Sequence, residues 1–455
     1  MIEKVRIMKF LPAKLICFLS LIFLHLSLLF WTQYTAWPEM LIYPYLLKRG
    51  FLFYIDIIQP YFPTLPYILW SVYSFFGISI TSLRIFSYAT ILTTDILFFF
   101  IGKKLSFRLP LYILFLIYTT LQVFLDGNSL WFDHFVVPFL LSSFYFHIQY
   151  NKTNKQHYLY MCAFFLGISF IVKQTVVWFL FAFLGNLLLH KKYKEVLVAL
   201  CVLSLPFLLL ILLFPNQRME YWAVYYPFFF MVKSSGYILY PTFRQLLICL
   251  FIFSPLIFLI FSKQTRFISL WILAGMGFAW PRFAYFHLQP ALPFLILGIG
   301  QLLSKVKKEH LFIIVGYFVV LLLIFSKFLS QSLGKPVRFF ENDVYETADS
   351  LHDFISQTEP VFFYNDMGNV MVAGGFLPIK PWAATFPWYM EVPGVQESIV
   401  NQLEMQRIRH IVLVPFGDEG TYVPGSYRPQ KIETYITSNY TPKTKVGSYL
   451  LLERN

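Results

Sequence analysis

From Lys14 to Leu329 the chain alternates long apolar runs with short polar breaks, and after Gly334 that rhythm stops. The runs are Lys14–Trp31, Leu83–Ile101, Leu109–Leu125, Leu130–Ile148, Tyr158–Val172 and Val176–Leu189. They continue as Val196–Phe214, Phe243–Phe261, Phe267–Trp280, Leu288–Leu303 and His310–Leu329. Most approach the ~20 residues that a helix needs to cross a bilayer, so the pattern predicts an α-helical polytopic membrane protein with about 11 transmembrane helices. The segment Thr64–Phe76 is apolar but only about four turns long. Its aromatic and proline content predicts an interfacial or re-entrant segment.

After Gly334 the pattern becomes mixed. Val344–Gln357, Val395–Arg407 and Lys431–Ser438 have helical spacing. Val361–Tyr364, His410–Pro415 and Gly447–Leu452 read as strands, with a Gly/Pro-rich loop at Gly417–Pro429. Helices alternating with strands predict a small α/β domain. The expected division is therefore a membrane domain over 1–334, with its first external loop at 32–82, and an extracytoplasmic α/β domain over 335–455.

Charge sets the direction of each crossing. Basic residues gather at Lys103, Lys104 and Arg108, at Lys152 and Lys155, at Lys191, Lys192 and Lys194, at Lys263 and Arg266, and at Lys305, Lys307 and Lys308. These breaks alternate with ones carrying acids and prolines, which by the positive-inside rule puts the basic breaks in the cytoplasm. The basic N-terminus precedes the first run with no small-residue cleavage pattern after it, so we read it as a retained first helix with a cytoplasmic start. The expected location is the plasma (cytoplasmic) membrane, multi-pass, with the tail outside. The chain is 58% hydrophobic and only 13% charged, a balance that leaves too little polar cover for a soluble protein of this length. Its net charge of +13 therefore reads as topology and not as a nucleic-acid surface. Cys17, Cys162, Cys201 and Cys249 all fall in apolar segments, without paired spacing, and read as small core residues.

The chemistry concentrates in the first loop, WPEMLIYPYLLKRGFLFYIDIIQPYFPTLP, from Trp37 to Pro66. It holds two acids, Glu39 and Asp56, and the basic pair Lys48 and Arg49. Carboxylates beside a membrane span mark a site. A general base needs an acid in a partly dry pocket, and Glu39 is the leading candidate. Asp56 reads equally as a second site acid, a partner for Lys48 or Arg49, or a cap. Arg84, Lys173, Arg218, Lys233, Arg244 and Arg282 fall at or near external helix ends, where they suit a lipid phosphate or snorkel to headgroups. Lys173 and Arg282 stand out because each interrupts apolar sequence. Asp133 lies about a turn inside a span, where it serves to hold an acceptor, to orient Lys173 or as a structural partner. Trp382, Trp388 and Tyr389 read as a sugar-stacking wall or as interfacial anchors. No His/Asp/Glu cluster has metal-ligand spacing, so no cofactor is expected, although acids from separate loops can still meet around a divalent cation.

Pro38-Glu39, Lys48-Arg49-Gly50-Phe51, Tyr54-Ile55-Asp56, Gln59-Pro60 to Pro66, Phe76-Gly77 and Arg84 form an ordered series. Together they resemble the first-loop signature of the C-type (GT-C) membrane glycosyltransferases, in the protein mannosyltransferase-like, aminoarabinose transferase-like and RgtA/B/C/D-like branches. Phe170-Ile171-Val172-Lys173-Gln174-Thr175 is similar to a later element of that family, and Pro281-Arg282 through Tyr285 to Pro290 and Pro293 to another. The family's Asp-Glu pair is here Pro38-Glu39, so either Glu39 or Asp56 takes the base's role. The resemblance implies transfer of a sugar from a polyprenyl-phosphate donor to a lipid, glycan or protein acceptor in the cell envelope, with inversion and no metal. It also implies Arg84, Lys173, Arg282 and Tyr285 as substrate-contacting residues. A flippase or transporter for the same lipid-linked sugar, and a glycan polymerase or ligase, are the competing readings. A transporter would favour paired repeats and charge at mid-membrane depth, and the chain shows no convincing repeat.

Overall fold

The computed structural model describes residues 2–105, 107, 111–214, 217–262, 265–303, 311–415 and 427–455. The expected basic turns at Arg108, Lys263, Lys305, Lys307 and Lys308, and most of the Gly417–Pro429 loop, lie outside the described residues.

The molecule is mostly helical, and every apolar run carries a helix. Apolar side chains at this density leave the backbone no better option in lipid, because a helix satisfies its own N–H and C=O groups. By length and hydropathy, Ile80–Leu105, Tyr193–Leu213 and Val315–Ser332 are long enough to cross a bilayer among the described residues. The pair Phe243–Phe253 and Pro255–Phe261 adds a fourth if it is one span, bent by 46° where Pro255 breaks the ladder. The other apolar helices are shorter, among them Gln156–Val172 and Leu292–Leu303.

The chain forms two compact units. The first joins Met1–Thr35, Arg84–Leu210 and Tyr240–Lys335. Within it, Gly167 lies against the helix Tyr193–Leu213, and a Cβ there would come within 2.5 Å of the Leu203 carbonyl oxygen. The helix Leu111–Gln122 ends in a wide turn at Val123–Gly127, where Asp126 takes a left-handed φ of 54°. Gln289 stabilises that break by donating to the Gln122 and Leu125 carbonyls at 2.8 and 2.9 Å. Buried irregular backbone persists where protein groups satisfy it.

The second unit joins Ala36–Leu83, Ile211–Leu239 and Pro336–Asn455. Its centre is a five-stranded sheet of β1 (Pro360–Tyr364), β2 (Leu377–Pro378), β3 (His410–Leu413), β4 (Tyr440–Val446) and β5 (Tyr449–Arg454). The order is β2-β1-β3-β5-β4, with β1 parallel to β2 and β3, and β5 antiparallel to β3 and β4. The helices Asn342–Leu351, Val395–Met405 and Gln430–Asn439 match the helical spacing of the tail. β4 escapes the sequence pattern because it is an edge strand: only its end residues Tyr440 and Val446 are buried, and Pro442, Lys443 and Lys445 occupy the rest.

The first loop folds into this unit. Glu39–Lys48 is a helix whose residues Met40 to Leu46 are all buried. Tyr45 donates to the Phe376 carbonyl at 2.6 Å, and the Trp382 N–H donates to the Asp56 carbonyl at 2.7 Å. The Ile58 N–H returns to the Trp382 carbonyl at 3.0 Å. The segment Thr64–Phe76 is one helix that buries Leu65, Leu69 and Tyr73 and exposes Trp70, Phe75 and Phe76. Its free face thus mixes three aromatic side chains with Ser71 and Ser74, an amphipathic composition that suits a membrane interface.

Candidate active-site cleft

Glu39 opens its helix, where a carboxylate is favoured by the N-terminal end of the helix dipole. The helix start brings it into a cleft of the second unit, with an aromatic wall of Tyr43, Trp382, Phe386 and Tyr389. Asn365, Asp366 and Thr385 supply the polar wall. Part of the Glu39 side chain is accessible, yet its Oε2 is buried and has no hydrogen-bond partner among the described residues. Burial pushes the Glu39 carboxyl up to about 7, against a smaller lowering by its own backbone N–H. A carboxylate with that affinity can hold or release a proton near neutral pH, and its free oxygen faces no competitor for an incoming hydroxyl.

Asp366 lies two residues past the end of β1, in the turn Asn365-Asp366-Met367-Gly368. Its Oδ1 accepts from the Tyr449 hydroxyl at 2.8 Å and its Oδ2 from the Gly368 N–H at 2.7 Å. Burial raises its carboxyl to about 6, against the lowering by those hydrogen bonds. Sequence reading missed Asp366. The available signal was its place just past the carboxyl end of a buried parallel strand, where α/β sheets commonly bind ligands.

The remaining first-loop candidates lie elsewhere in the same unit. Asp56 accepts from the Leu52 N–H at 3.0 Å and from Lys380 Nζ at 2.9 Å. It is not among the residues lining the cleft. Arg49 is exposed, donates to the Gly375 carbonyl at 2.7 Å and lies against the Tyr45 ring. Lys48, Arg218 and Lys233 are exposed. Trp382 and Tyr389 line the cleft, whereas Trp388 stacks on Phe386 with ring centroids 4.5 Å apart.

The first unit holds a separate polar cluster. Lys173 ends the helix Gln156–Val172 in extended backbone before the short turn Gln174–Val176. Its ammonium is ion-paired with Asp133 Oδ2, and His287 Nδ1 lies 3.0 Å from Asp133 Oδ1. All three residues are buried. A charge held this deep is tolerable only when paired, and Asp133 supplies both contacts. Arg84, near the start of Ile80–Leu105, lies 4.8 Å from the Tyr34 ring centroid. Its Nε is buried without a hydrogen-bond partner among the described residues. Tyr285 packs against Phe124 and Phe283, Arg282 beside it is half-buried, and Arg244 is exposed. Among the described residues no three His, Cys, Asp or Glu side chains gather into a metal-holding group.

Residues 59–222 match the sequence model of the dolichyl-phosphate-mannose-protein mannosyltransferase family. That segment includes Arg84, Asp133 and Lys173 and stops short of Glu39 and Asp366. The structure is similar to the apo form of ArnT from Cupriavidus metallidurans, with a TM-score of 0.58 over 99% of this chain and 98% of that chain, at 9% identity. It is similar to the same protein bound to undecaprenyl phosphate, with a TM-score of 0.59 over 97% and 98% of the two chains, again at 9% identity. It also resembles the apo oligosaccharyltransferase of Archaeoglobus fulgidus, with a TM-score of 0.52, 12% identity and coverage of 95% of this chain and 74% of that one. The chain has the GT-C fold. At these identities the likeness is one of fold. No curated protein matches the chain by sequence. The GT-C likeness spans nearly the whole chain, so it includes the sheet-containing unit that holds Glu39 as well as the helices.

Proposed function

We propose that the protein is a membrane glycosyltransferase that moves a sugar from a polyprenyl-phosphate carrier to an acceptor on the external face, with Glu39 as general base. The observation that carries this reading is the Glu39 carboxylate, buried on one oxygen, unpartnered there and raised to about 7 inside an aromatic cleft. An acceptor hydroxyl would lose its proton to Glu39 as its oxygen attacks the anomeric carbon. The bond from that carbon to the phosphate oxygen breaks on the opposite face, and the lipid phosphate leaves with the electron pair. The product is therefore inverted. Asp56 is less suited to the role, because its carboxylate is already shared by Lys380 and the Leu52 N–H.

The polyprenyl-phosphate donor is supported by the similar fold of ArnT, whose structure holds undecaprenyl phosphate. We assign the phosphate to Arg84, which keeps a buried Nε donor free of partners among the described residues. Lys173 is committed to Asp133, and we assign it to organising the buried cluster. This reading gives the protein about 11 spans in the plasma membrane, a membrane domain at 1–334, and an extracytoplasmic domain at 335–455. It calls for no metal, so transfer persists in EDTA.

The test is sugar transfer by the full-length protein in lipid nanodiscs, from a panel of undecaprenyl-phosphate sugars to envelope glycan and lipid extract. Glu39→Gln should lower the rate by about 10² to 10⁴. Carrier binding without transfer by wild type, unchanged in Glu39→Gln, would favour the transporter reading instead.

A further inference from the structure

Glu39 is not the only acid in its cleft. Asp366 lines it as well, on a turn held in place from three sides. Tyr449, from the last strand of the sheet, donates to Oδ1 at 2.8 Å. The Gly368 N–H donates to Oδ2 at 2.7 Å. Gly368 itself has φ of 83° and lies so close to Ile42 that a Cβ would meet the Ile42 Cδ1 at 2.5 Å. Ile42 sits on the helix that Glu39 begins. The turn carrying Asp366 is therefore braced against the helix carrying the proposed base.

The Tyr449 hydroxyl and the N–H groups of Gly368 and Met367 hydrogen-bond the Asp366 carboxylate, whose two oxygens offer about four acceptor positions. An acceptor position is left for a ligand. An acceptor fixed by the backbone in this way suits a sugar hydroxyl. The same cleft is also lined by the aromatic rings of Tyr43, Trp382 and Tyr389. Flat aromatic faces cover the C–H faces of a sugar ring, while a fixed carboxylate takes its hydroxyls. A serine or threonine side chain offers a hydroxyl but no such face.

We propose that Asp366 is an acceptor-binding residue that holds a hydroxyl of a sugar whose ring meets the aromatic lining, and that the acceptor is therefore a glycan and not a peptide. The inference rests on the glycosyltransferase reading above. Asp366 binds the molecule that Glu39 deprotonates, because both acids line one cleft. A donor sugar could present the same hydroxyl and ring face, and kinetics separates the two sources.

The experiment uses full-length protein in nanodiscs, undecaprenyl-phosphate sugars as donors, and two acceptor probes: a panel of methyl glycosides and a serine/threonine hexapeptide. Wild type should transfer to a methyl glycoside and not to the peptide. Asp366→Asn should raise the KM for that glycoside about tenfold or more, as expected for a hydrogen bond to a charged group, with the donor KM unchanged. Tyr449→Phe keeps the charge, releases Oδ1 and should raise the same KM by a smaller factor. Preference for the peptide, an unchanged glycoside KM, or a rise in the donor KM instead would each overturn the proposal. Saturation-transfer NMR with the methyl glycosides gives a readout independent of turnover. If wild type transfers nothing, the enzyme reading falls by itself. Glycoside signals lost in Asp366→Asn still support sugar binding at Asp366, and signals equal in both proteins overturn it.

Discussion

Lys380 Nζ donates to the Asp56 carboxylate at 2.9 Å and to the Gly50 carbonyl at 2.9 Å, so one ammonium ties the acid of the Tyr-x-Asp element to the glycine before it. The Leu52 N–H occupies Asp56 as well. An acid held this way closes a turn. Asp56→Asn should therefore cost stability, by about 1 kcal/mol given that Lys380 is partly exposed. Transfer should fall less than tenfold, and Lys380→Met should behave alike. Thermal unfolding and transfer rates on the same preparations check this. A loss of about 10² or more with an unchanged unfolding temperature would return Asp56 to the catalytic role.

The Glu39 carboxyl sits near pH 7 because it is buried. As a base it works only when deprotonated, so kcat/KM should rise about tenfold per pH unit below 7 and flatten above it. Asp366, in the same cleft near 6, is ionised only in the upper part of that range, so the fall should steepen below about pH 6. The stability effect has the opposite sign. The folded state holds the Glu39 proton more tightly than the unfolded chain, so stability falls as pH rises from about 4.5 to about 7. Glu39→Gln should thus unfold at a higher temperature than wild type at about pH 8, with the advantage gone near pH 4. Parallel melts at the two pH values measure it.

Asp133 and Lys173 form a buried ion pair with His287 alongside. Removing one partner leaves the other charge buried alone. Asp133→Leu should destabilise by about 3–5 kcal/mol, and Asp133→Leu with Lys173→Met should recover most of the loss. Unfolding of each variant in detergent checks the pair. A double variant no better than the single would show that the charges are not coupled.

The periodicity of the chain carried much of this structure, and the reason is physical. Apolar runs long enough to bury a helix leave few alternatives, so Val196–Phe214 reads almost directly as the helix Tyr193–Leu213. Lys173 was visible because a lysine interrupting apolar sequence needs a partner, and Asp133 was the acid on offer. Glu39 was visible as an acid just outside a span. Asp366 was not, because it meets Glu39 only after the first loop and the tail fold together, across more than three hundred residues of sequence. Lys48 and Arg49 read as a basic pair beside the loop acids, and the Arg49 guanidinium reaches the Gly375 carbonyl, a contact that sequence spacing does not record.

The tail's location is open to a direct label. Met405 is 68% exposed at the end of the helix Val395–Met405. A Met405→Cys variant should react with a membrane-impermeant maleimide on intact cells. Wild type, whose Cys17, Cys162, Cys201 and Cys249 all lie in apolar helices, provides the background. Labelling of the variant above that background only after lysis would place the tail in the cytoplasm and invert the topology.

Gly368 connects backbone geometry to the cleft. Its φ of 83° disfavours any residue with a Cβ, by roughly 1–2 kcal/mol. The added Cβ would also meet Ile42 Cδ1 at 2.5 Å, on the helix of Glu39. Gly368→Ala should therefore shift the turn that presents its N–H to Asp366, and the acceptor KM should rise with that shift. Ile42→Val removes the clashing Cδ1 and leaves the φ penalty in place. The double variant should regain part of the acceptor affinity while its unfolding temperature stays below that of wild type. If Ile42→Val restores nothing, the turn is not braced on that helix, and the two acids are positioned independently.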